Sequence, residues 1–138
     1  MNNRRRKKLS RRMVDAATFG RLGQVGALLR AGADPAWTDA EGTTPLYAAS
    51  VQGAAPVVRL LLRAGASPDT ESGYGTEGTP LCGAACWGHG EAVRELLAHG
   101  ADPDLREDHG TGNSPLDWAV AGGHDEVERL LLEAGARR

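Results

Sequence analysis

Aromatic residues make up only 4% of the 138-residue sequence, as three Trp, two Tyr and one Phe. That is little for a globular core, where such side chains normally supply much of the buried area. Cysteine is as scarce. Cys82 and Cys86, four apart, cannot frame a disulfide scaffold, so a reducing, cytoplasmic compartment is expected. No apolar run approaches the ~20 residues of a spanning helix, so no membrane insertion is expected. Ser10-Arg11-Arg12, behind a basic run, resembles a twin-arginine export signal, with Ala31-Gly32-Ala33 as a small-residue cleavage site. Asp15 and Arg21 interrupt what would have to be its uncharged apolar region.

Glycine, by contrast, is abundant at 19 residues, and it falls in register. The chain is organised around residues 79–102, TPLCGAACWGHGEAVRELLAHGAD. Leu81, Ala84 and Ala85 form one short helical stripe, and Val93, Leu96 and Leu97 a second. Gly88 and Gly100 follow these runs, where a helix C-terminus calls for a left-handed residue. Two helices of about nine residues are not stable alone in water, so each must lay its stripe on a neighbour. The neighbour is another copy. Leu28-Leu29, Leu61-Leu62, Leu96-Leu97 and Leu131-Leu132 recur at steps of 33, 35 and 35, each followed by Gly-Ala. Thr44-Pro45-Leu46, Thr79-Pro80-Leu81 and Ser114-Pro115-Leu116 keep the 35-residue step, as do Gly53, Gly88 and Gly123.

Thr-Pro-Leu, then Ala-Ala, Gly-His and Leu-Leu-x-x-Gly-Ala-Asp resembles the ankyrin repeat, whose period is about 33. The resemblance covers roughly residues 9–138. It implies an all-α chain, an α-solenoid of four helix-turn-helix repeats joined by three β-hairpin fingers and stabilised by nearest-neighbour interfaces. The repeats are bounded at about 9–36, 37–69, 70–104 and 105–138. The first is degenerate, with Arg11-Arg12-Met13 in place of Thr-Pro-Leu, as a cap with a solvent-facing side would be. Where the family carries a linking His after Thr-Pro-Leu, this chain has Tyr47, Cys82 and Asp117, which predicts a less regular inter-repeat network and ordinary stability.

Residues 1–8 are read as a basic flexible arm ahead of a helix starting at Leu9. Arg4, Arg5, Arg6, Lys7, Lys8, Arg11 and Arg12 place seven cations in the first dozen residues. The remaining nine arginines face all eighteen acids, so the body carries −9 although the whole chain carries only −2.

Candidates for chemistry are few. Gly73-Tyr74-Gly75-Thr76-Glu77-Gly78 matches G-x-G-x-x-G, but the polar, Pro-bearing segment before it is no buried strand, so it reads as a finger loop. Cys82, Cys86 and His89 could share a helical face as zinc ligands, yet Gly88 should end the helix first and no fourth ligand is near. No metal and no cofactor are expected. His89, His99, His109, His124 and Asp117 form no nucleophile–base–acid set, so the chain is not expected to be an enzyme.

The resemblance implies instead a protein-binding surface, formed by finger tips and by the first helices at the two positions before each closing Gly. Those positions are Thr18 and Phe19, Val51 and Gln52, Cys86 and Trp87, and Ala121 and Gly122. Phe19 and Trp87 are the expected apolar anchors. Trp37, Asp39, Glu41, Tyr74, Asp108 and His109 are the expected finger contacts, and Trp118, in a Leu-x-Trp-Ala setting, is expected to be structural. The acidic body favours a basic protein partner, bound by a monomer. The alternative partner is nucleic acid or another anionic polymer, held by Arg4, Arg5, Arg6, Lys7, Lys8, Arg11 and Arg12.

Overall fold

A hydroxyl residue followed by proline opens three of the helices in the computed structural model, which describes residues 1–138. The side chains of Thr44, Thr79 and Ser114 accept the backbone N–H of Tyr47, Cys82 and Asp117 at 3.1, 3.2 and 3.1 Å. Pro45, Pro80 and Pro115 follow at the first helical turn, where an N–H would lack a partner anyway. These residues open α3 (Pro45–Gln52), α5 (Pro80–Cys86) and α8 (Pro115–Ala121). Asp117 completes a reciprocal box by accepting the Ser114 N–H at 3.0 Å.

After each first helix the chain reverses in a tight turn and enters its partner. The partners are α2 (Leu22–Arg30), α4 (Ala55–Arg63), α6 (Gly90–Ala98) and α9 (Asp125–Glu133), with α1 (Asn3–Thr18) leading the first pair. A 3-10 turn (Gly73–Gly75) lies between α4 and α5, and one short turn, α7 (Glu107–Gly110), between α6 and α8. The helices stack in two layers, α1–α3–α5–α8 and α2–α4–α6–α9, each helix also packing on its own partner. One apolar cluster of 29 buried residues runs through all four pairs. Its spine is the repeating leucine: Leu61, Leu96 and Leu131 are each 0% exposed, and Leu28 is buried beside them. At about 1.5–3 kcal/mol for each buried leucine, this spine, and not helix propensity, holds such short helices.

The all-helical expectation holds, with two differences of detail. Residues 3–8, read above as part of a basic arm, are helical. They are the opening turns of α1, which starts at Asn3 because Asn2 caps it by accepting the Arg5 N–H at 2.9 Å. Arginine and lysine are good helix formers, so the helix seeded by the buried face of Leu9, Met13 and Val14 extends back through them. The fingers, in turn, contain no β-strands. Each is closed at its base by a narrow link: Asp39 N to Thr43 O, Ser72 N to Gly78 O and Glu107 N to Asn113 O, at 3.2, 2.8 and 3.0 Å. Only the Ser72–Gly78 pair forms a bridge, antiparallel and isolated. Turn hydrogen bonds occupy the residues that a longer ladder would need. No helix is long and apolar enough to cross a membrane.

Candidate functional site

The first helices and the three fingers line one side of the stack, and most of the residues expected to bind a partner lie there. In the first three repeats the position just before the closing glycine turns its side chain outward. Phe19 is 68% exposed and Trp87 63% exposed, while Gln52 is exposed between them and Val51 and Cys86 are half-buried. The Arg21 guanidinium lies 5.3 Å from the Phe19 ring centre, covering part of it. Trp87 ends α5 with no comparable cover.

The fingers are tied to one another tip to base. The Tyr74 ring lies against Gly42 of the preceding finger so closely that a Cβ there would come within 2.6 Å of it. The His109 ring sits against Gly75 in the same way, at 2.8 Å, and its backbone N–H donates to Glu71 Oε1 at 2.8 Å. Tyr74, Asp108 and His109 all adopt positive φ, at 55, 51 and 54°, which is costly for residues with a Cβ. Tyr74 nevertheless remains 75% exposed. Asp39 is engaged inside its own turn, accepting the N–H groups of Glu41 and Thr43 at 3.0 Å each, whereas Glu41 and Asp108 are exposed. Trp37 is half-buried against the core, with the Arg6 guanidinium 5.0 Å over its ring. It therefore joins α1 to the first finger.

Behind the tips, Ser72 is fully buried and organises a small polar network. Its hydroxyl accepts the Thr44 N–H at 3.0 Å and donates to Glu77 Oε1 at 2.9 Å, which also accepts the Thr43 hydroxyl at 2.8 Å. Glu107 accepts the Trp118 indole N–H at 2.9 Å, which gives Trp118 the structural setting expected of it. Burial raises the Glu107 carboxyl above its ordinary range despite that bond. Tyr47 packs its ring against Gly83, and burial, helped by Glu77, pushes its hydroxyl up to about 12.

The residues weighed for chemistry are occupied in packing. Cys82 is 1% exposed, and its thiol donates to the carbonyls of Leu105 and Asn113 at 3.8 and 3.6 Å. Burial pushes that thiol up to about 12 and also raises Cys86, which is only half-buried. At neutral pH a thiol-exchange reagent should therefore label Cys86 in the folded protein and reach Cys82 only after unfolding. Counting released chromophore before and after adding denaturant checks this, and two equally fast labels would contradict the buried setting. Asp117 accepts from Ser114 and pairs with Arg106 at 3.1 Å, and the Ser114 backbone N–H is the main reason its carboxyl lies below the ordinary range.

The histidines carry a feature that sequence reasoning missed. His89 Nε2 lies 3.0 Å from the Val51 carbonyl, and His124 Nε2 lies 3.0 Å from the Cys86 carbonyl. Each ring thus fastens its turn to the last turn of the preceding first helix. Gly53 and Gly88 provide the seats, since a Cβ at either would come within 2.5 Å of the ring. Ala54 occupies the equivalent position in the second pair, so the seat at Gly20 holds only a methyl, 3.7 Å away. The signal was present in the sequence as Ala54, His89 and His124 at one register.

The family model for ankyrin repeats (3 copies) matches residues 13–107 and 65–137. Over 54 residues the sequence is 44% identical to the Potassium channel KOR1 of Oryza sativa subsp. japonica, a stretch covering 39% of this chain and 6% of that one. The chain thus spans a small fraction of that relative's length. With a continuous stack of helix pairs and the family model covering most of it, the chain belongs to the ankyrin-repeat family.

Proposed function

We propose that the four helix pairs are four ankyrin repeats forming a non-enzymatic module that docks a protein partner along the first helices and finger tips. Ankyrin repeats generally mediate protein–protein interaction. The observation that carries the reading for this chain is the exposure of Trp87 and Phe19 at equivalent positions, 63% and 68%, on a side where folding gives them little cover. Large aromatic side chains of this kind dominate the energetics of interfaces. Val51 and Gln52 hold the equivalent positions before Gly53, Cys86 adjoins Trp87, Tyr74, Glu41, Asp108 and His109 offer finger contacts, and Trp37 and Asp39 hold the first finger in place. Away from α1 the negative body favours a cationic stretch of the partner.

The test is an affinity capture from a lysate of the native cell, treated with nuclease, comparing the full chain with Trp87→Asp and Ala98→Asp. Ala98 is exposed at the end of α6, in the other layer. A partner lost with Trp87→Asp but kept with Ala98→Asp, both variants being helical by circular dichroism, supports the docking side. Retention by both variants sinks the reading.

A further inference from the structure

We infer that the face of α1 formed by Arg4, Lys7, Lys8 and Arg11 receives an acidic peptide stretch of the partner protein. This rests on the reading of the first-helix side as a docking surface and adds the chemistry of one end of it. The four residues fall at i, i+3, i+4 and i+7, so a single helical face carries them. That face forms one wall of an open groove of about 1070 Å³, with Glu41 of the first finger and Tyr74 of the second among the lining residues. The stack of Arg6 on Trp37 fixes α1 against the first finger, so the cations are already positioned on the groove.

Folding gives these charges no partner. Every ion pair in the chain lies beyond residue 58, as in Arg59–Glu95, Arg94–Glu126, Arg129–Glu133 and Arg138–Glu128. None of the seven cations of α1 has a carboxylate within ion-pairing distance. Its first turn holds no acid either, so like charges repel along the helix and oppose its dipole. An anionic ligand in the groove relieves both costs.

The occupant follows from the other wall. A nucleic-acid strand carries a charge at each phosphate and would bring several against Glu41 and Asp39 of the finger, which also line the groove. A peptide can place carboxylates opposite α1, leave neutral residues beside the finger, and rest an apolar side chain on the exposed Tyr74 ring. A second copy of the chain is a poor fit, because Glu126, Glu128 and Glu133 at its acidic end are already paired.

The experiment is a fluorescence-anisotropy titration of the full chain with a labelled dodecapeptide alternating Glu and Ser, and with a labelled single-stranded DNA dodecamer. Lys7→Glu with Arg11→Glu reverses the groove face. Arg5→Glu with Arg12→Glu makes the same change in charge on the side of α1 that faces α2. The peptide should bind with a salt-dependent affinity that the groove pair lowers about tenfold or more, against about threefold or less for the other pair. Lys7→Gln with Arg11→Gln, which adds no charge, should weaken binding in the same direction should the reversal unfold the chain. Equal losses for the two reversed pairs, no peptide binding, or tighter binding of the DNA would each overturn the inference. Trp87→Asp should leave binding of this peptide intact, so failure of this inference and failure of the proposed docking side are told apart.

Discussion

Gly88→Ala should cost about 3–4 kcal/mol of unfolding free energy, while the same change at Gly123 should cost only about 1–2 kcal/mol. Both glycines close a first helix at nearly the same backbone angle, φ 73 and 68°. Any residue with a Cβ pays the left-handed conformational cost at either site. The surroundings differ. Nothing lies within 4 Å of a Cβ built on Gly123, whereas at Gly88 the ring of His124 would be 2.5 Å away. That ring is not free to yield, because Nε2 is held at 3.0 Å from the Cys86 carbonyl. Moving it breaks the bond and adds about 1–3 kcal/mol for the polar groups left unmatched. Urea denaturation of the two variants reads the difference directly. The pair Gly88→Ala with His124→Ala should cost less than the sum of its single changes, since the clash disappears with the ring. Equal midpoints for Gly88→Ala and Gly123→Ala would show that the ring contributes no interlock.

This interlock also marks how far the sequence could be read. The helix pairs were legible because every pair carries the same stripe, and the stripe follows from burial alone: Leu61, Leu96 and Leu131 must be hidden from water wherever the fold places them. The starts of α3, α5 and α8 were legible for a local reason, since a hydroxyl and a proline act within one turn of themselves. The seat of His124 on Gly88 was not, because it joins residues 36 apart and depends on how closely neighbouring turns approach. The start of α1 was misread for the opposite reason. A run of cations reads as solvated chain, yet helix propensity and the Asn2 cap carry the helix through it once Leu9 and Met13 are anchored.

The exposure of the candidate positions was legible in outline, with its finer division hidden. Phe19 and Trp87 were identified from their position before the closing glycine, and both are exposed. Trp37 and Asp39, equally plausible finger contacts, turn out to be engaged with Arg6 and with the first finger's own backbone. No sequence pattern separates these cases. An aromatic ring near a turn packs inward or outward according to what stands opposite it, here Arg6 on α1, far from Trp37 in the sequence.

Leu96→Ala should lower stability by about 3–5 kcal/mol, and its effect should spread further than that of Leu131→Ala, at about 2–3 kcal/mol. Both side chains are 0% exposed, so the transfer of apolar surface is the same. Their places in the stack are not. Leu96 belongs to α6, which packs between α4 and α9 as well as on α5, whereas Leu131 belongs to α9, which has α6 and α8 on one side. In a repeat stack each unit is stabilised through its two interfaces, so a cavity in an interior unit weakens both neighbours. A cavity in α9 can also relax toward open solvent, which lowers its cost. Native-state hydrogen exchange resolves the two cases. With Leu96→Ala, amides in both α4 and α9 should lose protection. With Leu131→Ala the loss should centre on α8 and α9, leaving α3 and α4 close to the parent protein. Loss confined to α6 in the first variant would mean that the units are held by their own helix pairs, and that coupling across the stack contributes little.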